Sequence, residues 1–329
     1  MTFNTAFAIA DLSQVGAARR AAVRMAEDLK LPSAKTGAVA IVVTELATNL
    51  VRYAAAGQVM LRSSSLNGLE VLAVDNGPGL DVNKCLQDGF STGGTPGNGL
   101  GAVHRMSDEF DLYSSKDSGT VIFSRIGATA ASTNQDVRFQ WGVVSLPAPG
   151  ESVCGDAWDL SVSDAGLRIM VADGLGHGPD ASRAAQVAVE HFQAHPTHSP
   201  KLFIEGAHTA MVATRGAALA AGNLAVSSDQ FTYAGIGNIS GSLISNGESR
   251  GLMSHNGTVG AHMRSVHQLD YTWPVGGMLV MHSDGIQTRW DLSKYAGINS
   301  CHASIFAAVL ARDFIRGRDD ATVVVVRRL

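Results

Sequence analysis

The feature that most constrains this chain is a break in its apolar pattern. Between Arg125 and Gln140 the run Gly127-Ala-Thr-Ala-Ala-Ser-Thr-Asn-Gln-Asp136 offers only small and polar side chains, which bury too little surface to belong to a core. A chain of 329 residues exceeds one ordinary compact core. The break therefore divides it into a domain at 1–126, a linker at 127–136 and a domain at 137–329. With 45% apolar and 16% charged residues and 36 glycines, the composition is that of folded α/β or α+β domains and not of a disordered chain.

A net charge of −4 supplies no general basic field, so neither nucleic acid nor an anionic membrane is an expected partner. A protein or a small ligand suits the charge better. No stretch of about 18 uncharged apolar residues occurs, and the first residues lack the basic start and apolar run of a signal peptide. A cytoplasmic protein is expected. Cys85, Cys154 and Cys301 stand far apart with no CxxC pair, as free thiols do in a reducing compartment.

In the first half, 15–29 carries apolar residues at helical spacing and stops at Leu31-Pro32. A second stripe follows over 34–53 through Val39, Val42, Val43, Leu46 and Leu50. Two helices are thus expected before any strand. Residues 58–64 and 69–75 read as strands, 77–97 as a glycine-rich loop, a helix starts near Gly99, and 110–115 and 120–126 form a hairpin. That order suits an α/β sandwich with helices on one face of a mixed sheet. The second half alternates β-rich runs at 139–145, 167–172, 231–236, 241–245, 278–283 and 322–327 with helical stretches at 181–195 and 201–213. A β-sandwich flanked by helices fits, and the whole chain reads as α+β in two domains.

Glu45 and Asn49 lie four residues apart on the second helix and share a face, where one can polarise a nucleophile and the other ligate magnesium. Asp75-Asn-Gly-Pro-Gly79 ends an apolar strand. Its carboxylate can accept from an exocyclic amine while the glycines let the chain turn closely under a ring. Gly97-Asn-Gly-Leu-Gly101 opens a helix, and free N–H groups at a helix start favour phosphate.

In this order, with Gly119-Thr120, Tyr53-Ala54, Asp88-Gly-Phe-Ser-Thr92, Arg105-Met106 and Asp108-Glu-Phe110, these boxes resemble the GHKL ATPase and histidine-kinase superfamily, and within it the RsbT-like switch kinases of stressosomes. The resemblance implies ATP with Mg²⁺ as ligand. It also implies Glu45 as catalytic base, Asn49 as magnesium ligand, Asp75 on the adenine, Gly77 and Gly79 beneath it, Gly97, Gly99 and Gly101 around the phosphates, and Thr120 near the base. Such kinases phosphorylate a serine or threonine of a STAS-domain protein. The segment Gly93-Gly-Thr-Pro-Gly97 departs from the pattern by an added proline, which would slow nucleotide exchange or phosphoryl transfer.

Four carboxylates of the second half stand at strand ends: Asp156 in Cys154-Gly-Asp156, Asp173 in Ala172-Asp-Gly174, Asp284 in His282-Ser-Asp-Gly285, and Asp319 in Arg318-Asp-Asp320. Each motif alone is an ordinary turn. Together they form an oxygen-only set suited to magnesium or manganese. The stretch Val171-Ala-Asp-Gly-Leu-Gly-His-Gly178 would also let a backbone carbonyl reach a metal.

The set resembles the type 2C metal-dependent phosphatases of the SpoIIE branch, and within it the RsbX-like phosphatases, helped by Arg215-Gly-Ala217, Phe231-Thr-Tyr233, Gly237-Asn238 and Asp319-Asp-Ala-Thr322. It implies two Mn²⁺ or Mg²⁺ ions held by Asp156, Asp173, the Gly174 carbonyl, Asp284 and Asp319, with Asp173 and Asp284 central to catalysis. The family motif places its ligand at Asp319, although Asp320 could also serve. The implied activity is hydrolysis of phosphoserine or phosphothreonine on STAS-domain proteins, RsbS- or RsbR-like antagonists.

His191, His195 and His198 have a spacing open to a transition metal, but Pro196 should end the helix between them. His177 is a candidate proton donor and Arg215 a candidate phosphate clamp. Joined, the halves read as a phosphatase fused to an ATP-binding serine kinase in a partner-switching pathway. The alternatives are a first domain that only senses ATP or docks a partner, or an anti-sigma factor acting by sequestration.

Overall fold

The computed structural model describes residues 3–54, 56–64, 68–80, 99–116, 118–127, 138–225 and 227–329. Two compact units emerge. One comprises Thr2–Gln135 with Asp291–Val309, the other Asp136–Trp290 with Leu310–Leu329.

The first unit begins with β1 (Thr5–Ile9), followed by α1 (Leu12–Asp28) and α2 (Ser33–Asn49). The expectation of two helices before any strand is corrected by β1, a five-residue edge strand too short for its alternation to stand out. Asp11 caps α1, accepting from Ser13 N–H at 2.8 Å, while Gln14 returns to the Asp11 N–H at 3.1 Å in a reciprocal capping box. A π turn over Leu50–Ala54 follows α2. The stretch Ser33–Ala54 is long and apolar enough to cross a membrane, yet Val39, Val42, Val43, Leu46, Ala47 and Leu50 are buried in this unit's core.

The sheet contains β2 (Gly57–Ser64), β3 (Gly68–Asp75), β4 (Glu109–Ser115) and β5 (Gly119–Ile126), in the order β1-β2-β3-β5-β4, and α3 (Gly99–Met106) enters between β3 and β4. The mixed sheet expected from the element order is also corrected. Every pairing between these strands is antiparallel, since short connections join β2 to β3 and β4 to β5. Residues of all three helices share one core with the sheet. Across the strands runs an ion ladder in which Arg62 pairs with Glu70 and Arg125 with Glu109, while Arg125 reaches Glu70 at 3.6 Å.

The second unit is a sandwich of two five-stranded antiparallel sheets. One comprises β7 (Asp156–Ser163), β8 (Gly166–Gly174), β9 (Ala217–Ala225), β10 (Gln230–Ile236) and β13 (Leu269–Thr272). The other comprises β6 (Phe139–Leu146), β11 (Ser240–Ser245), β12 (Glu248–Leu252), β14 (Met278–His282) and β15 (Ala321–Arg328). Val143, Leu279, Met281, Val324 and Val326 of the second sheet share a core with Trp158, Ile169, Val171, Phe231 and Tyr233 of the first.

Helices α4 (Pro179–Ala194) and α5 (Pro200–Ala210) cover the outer face of the first sheet. Their seam is narrow because Ala184, Ala185 and Ala188 meet Ala172, Ala217 and Ala221. A further helix, α6, spans Ala303–Phe314.

Candidate functional site

In the second unit the acidic residues converge because antiparallel pairing brings strand ends together. Asp156 opens β7 directly opposite Asp173 near the end of β8, and directly opposed like charges destabilise a sheet unless something offsets them. Asp156 is buried. Ser283 donates to its Oδ2 at 2.6 Å, while its Oδ1 is buried with no hydrogen-bond partner among the described residues. Burial, then the charges of Asp173 and Asp320, push its carboxyl well above the ordinary carboxylate range. Burial, then Asp284, Asp319 and Asp320, push Asp173 up to about 7. Four of the sequence-identified acids, with Asp320, thus share one electrostatic neighbourhood.

The surrounding chain is shaped to hold them. A Cβ on Gly174 would stand 2.1 Å from the Ala181 carbonyl oxygen, and one on Gly285 2.0 Å from that of Asp320, so both positions need the bare backbone. Leu175 N–H donates to the Gly216 carbonyl at 3.0 Å, and α4 starts at Pro179 just past the Gly-rich turn. The Asn238 amide donates to Asp284 Oδ2 at 2.7 Å, fixing a carboxylate that otherwise faces solvent. Ser283 Oγ also accepts from Thr322 N–H at 3.0 Å, tying β15 to the Asp156 carboxylate.

Asp320 is buried and accepts from Ala148 N–H at 2.9 Å, whereas Asp319 is partly exposed and accepts from Asp320 N–H at 2.9 Å. Both adjoin Asp173 electrostatically. Sequence reasoning gave no role to Ser283 or Asn238, whose importance depends on which carboxylate oxygen each one reaches. His177 is exposed and bonded through Nδ1 to Glu151 at 2.6 Å. Arg215 meets Asp180 at 2.6 Å, with its guanidinium beside Gly176.

The acidic neighbourhood fits hard divalent cations: carboxylates only, two buried oxygens orphaned among the described residues (Asp156 Oδ1 and Asp320 Oδ2), and mutual repulsion that a cation would relieve.

In the first unit Glu45 lies on α2, and Asn49 ends that helix just before the π turn. A Cβ on Gly99 would come within 2.8 Å of Glu45 Oε2, which places this carboxylate against the start of α3. Asp75 Oδ1 accepts from Gly77 N–H at 2.8 Å and from Thr120 N–H at 3.2 Å, so the aspartate is oriented across the β3–β5 pair. Gly77 packs on Ala54, and Gly79, at φ +73°, lies where a Cβ would meet the Ser115 carbonyl oxygen at 2.4 Å. Gly101 is buried in α3 and Thr120 Oγ1 bonds Ser114 Oγ at 2.9 Å. Gly97, the segment 88–97, Cys85 and the stretch 128–137 lie outside the described residues.

Comparison with known proteins separates the two halves. Residues 8–125 match the histidine kinase-like ATPase domain, and residues 163–329 match Stage II sporulation protein E. The chain is 37% identical over 110 residues to the serine/threonine-protein kinase RsbT of Bacillus subtilis (strain 168), covering 32% of this chain and 83% of that protein. It is 26% identical over 186 residues to the phosphoserine phosphatase RsbX of the same organism, covering 55% and 91%.

Among solved structures, one described as the bacterial stressosome, a modular system adapted to control secondary messenger signaling, aligns at 25% identity and TM-score 0.54, covering 57% of this chain and 99% of that one. RsbX in complex with magnesium aligns at 24% identity and TM-score 0.51, covering 60% and 98%, and supports the fold.

Proposed function

We propose, for a chain that belongs to the Stage II sporulation protein E (SpoIIE) family and carries a histidine kinase-like ATPase domain ahead of it, that its substrates are phosphorylated STAS-domain proteins. The second half is a protein serine/threonine phosphatase domain. The observation that carries this reading is the Asp156–Asp173 pair, two facing carboxylates of which one has an unpartnered buried oxygen.

Asp156, Asp173, the Gly174 carbonyl, Asp284 and Asp319 would hold two Mn²⁺ or Mg²⁺ ions, with Asp320, whose Oδ2 is buried and unpartnered among the described residues, as the alternative to Asp319. When bound, such ions acidify water and neutralise charge on a transferred phosphoryl group. The protein's own share is positional. Ser283 and Asn238 fix one oxygen each on Asp156 and Asp284, the bare backbone at Gly174 and Gly285 brings the loops close, and Arg215 beside Gly176 offers a guanidinium matched to phosphate oxygens. His177, exposed on the same loop and bonded to Glu151, would donate a proton to the leaving serine or threonine oxygen.

The first half binds ATP with Mg²⁺, Asp75 meeting the adenine and Glu45 and Asn49 standing at the phosphate end. The close match to a serine/threonine kinase over 83% of its length supports phosphoryl transfer to a STAS-domain serine or threonine. A purely docking role is the competing outcome.

Release of phosphate from a phosphorylated STAS-domain protein, measured with and without Mn²⁺ and with Asp173→Ala as control, tests the phosphatase. Metal-dependent release that vanishes in the variant is expected; release indifferent to metal or to Asp173 refutes it. For the first half, Glu45→Ala should abolish transfer from γ-labelled ATP and leave ATP binding intact. Absence of transfer in the parent chain would establish the docking role.

A further inference from the structure

The sequence already sets three histidines at 191, 195 and 198 and suggests that Pro196 would keep them apart by ending the helix. The structure agrees about the helix and differs about the consequence. Helix α4 ends at Ala194, but the turn over 195–198 folds back over its last turn. The ring centroids of His191 and His195 come to 4.1 Å, those of His195 and His198 to 4.6 Å. One ligand nitrogen from each ring lies within 4.8 Å of the other two.

The hydrogen-bond pattern leaves ring nitrogens of this cluster without partners among the described residues. His195 Nδ1 lies 2.9 Å from the His191 carbonyl. A carbonyl only accepts, so Nδ1 carries the proton and Nε2 keeps its lone pair, the arrangement by which a backbone oxygen commonly orients a metal-binding imidazole. His191 Nε2 and His198 Nδ1 are buried with no hydrogen-bond partner among the described residues. Buried polar nitrogens without partners are costly, and two in one cluster call for an explanation.

The chain also admits the His191 ring against α5. A Cβ on Gly206 of α5 would stand 2.3 Å from His191 Nε2, so the helix presents bare backbone at the point where that nitrogen emerges. The turn itself is pinned: Arg168 donates to the His195 carbonyl at 3.1 Å and the Asn223 amide to the His198 carbonyl at 3.2 Å, anchoring it to β8 and β9.

We propose that His191, His195 and His198 bind one divalent transition ion of the zinc class, separate from the acidic cluster. Three neutral imidazoles are a donor set for Zn²⁺ and disfavour Mg²⁺ or Mn²⁺, which prefer oxygen. A tetrahedral ion with Zn–N of about 2.0–2.1 Å requires its nitrogens roughly 3.3 Å apart. The rings must therefore draw inward by about an ångström, a movement within reach of side-chain rotation on the 195–198 turn. Water fills the fourth position. The ion clamps the C-terminal end of α4, whose N-terminal end follows the Gly174–Gly178 loop of the acidic site.

The test uses the untagged full-length protein, stripped with chelator and carrying Asp173→Asn to weaken binding at the acidic cluster, titrated with Co²⁺ and then Zn²⁺. One equivalent of Co²⁺ should give the intense visible bands of a four-coordinate nitrogen site, which oxygen-ligated six-coordinate cobalt does not give, and Zn²⁺ should bleach them. His191→Gln and His198→Gln should each remove the bands and weaken Zn²⁺ binding by roughly 100-fold or more, without changing the circular dichroism of the metal-free protein. His104→Gln, an exposed imidazole on α3, should change neither. Absence of the bands in the parent, or bands that persist when either His191 or His198 is replaced, overturns the proposal. If one of those variants misfolds, the other gives the same reading. Phosphatase activity is not the readout, so failure here leaves the acidic site's assignment untouched.

Discussion

Replacing Asp173 by asparagine should make the metal-free protein more stable while abolishing its phosphatase activity. In the folded chain the Asp173 carboxyl is pushed up to about 7, against 3.8 for an unconstrained aspartate. Between those values the folded chain holds the proton more tightly than the unfolded chain, so stability falls as pH rises from about 4 to about 7 and stays low above. By linkage the cost of ionised Asp173 at pH 8 is on the order of 4 kcal/mol, shrinking to about 2 kcal/mol at pH 5. Asparagine removes the charge and keeps an oxygen to accept from the Asp284 N–H that now bonds the carboxylate.

For a unit of this size, a gain of that order corresponds to roughly 10 °C in the thermal midpoint. Calorimetry of chelated parent and Asp173→Asn proteins at pH 8 and pH 5 reads it directly. The midpoint should rise clearly at pH 8 and about half as much at pH 5, and added Mn²⁺ should stabilise the parent far more than the variant. An unchanged or lowered midpoint at pH 8, or equal gains at both pH values, would refute the reasoning that repulsion is stored at Asp173.

Ser283→Ala leaves Asp156 Oδ2 and the Thr322 N–H without their shared partner, and chemical denaturation should show a loss of about 1–3 kcal/mol. Glu70→Ala removes the buried carboxylate that Arg62 and Arg125 share. Removing one member of a buried ion pair costs roughly 3–5 kcal/mol, so the first unit's unfolding transition should move well below the parent's. Burial, then the Asp156 charge, holds the Cys154 thiol far above its ordinary pKa; iodoacetamide at pH 8 should spare it in the native protein and label it in denaturant, as mass spectrometry of the peptide would show.

Much of the candidate site was legible because it sits where sequence signals are sharpest, at junctions between apolar strands and glycine. Asp75, Asp173 and Asp284 each close a run whose burial is plain from its residues, and the bare-backbone positions at Gly174 and Gly285 are the close approaches such turns require. Elements whose physics is not periodic were harder to read. Strand β9, Ala-Ala-Leu-Ala-Ala-Gly-Asn-Leu-Ala, has the composition of a helix and becomes a strand because β8 and β10 pair with both its edges. Helix α6 is buried on nearly every side and so shows no amphipathic stripe.

Strands β12 and β13 are short and largely exposed. The histidine turn shows another limit. Pro196 does stop α4, but where the chain goes next depends on Arg168 and Asn223, two residues remote in sequence.

The alanine seam between α4 and the first sheet limits how this protein can vary. At Ala172, Ala184, Ala185 and Ala188 a larger side chain has nowhere to go but between helix and strand, and levering them apart would carry the Gly174–Gly178 loop away from its carboxylates. Lineages descended from this sequence should therefore alter the outward faces of α4 and α5 freely while the seam stays at alanine, glycine or serine. A drift toward bulk there would mark a copy released from selection for catalysis before any carboxylate had changed.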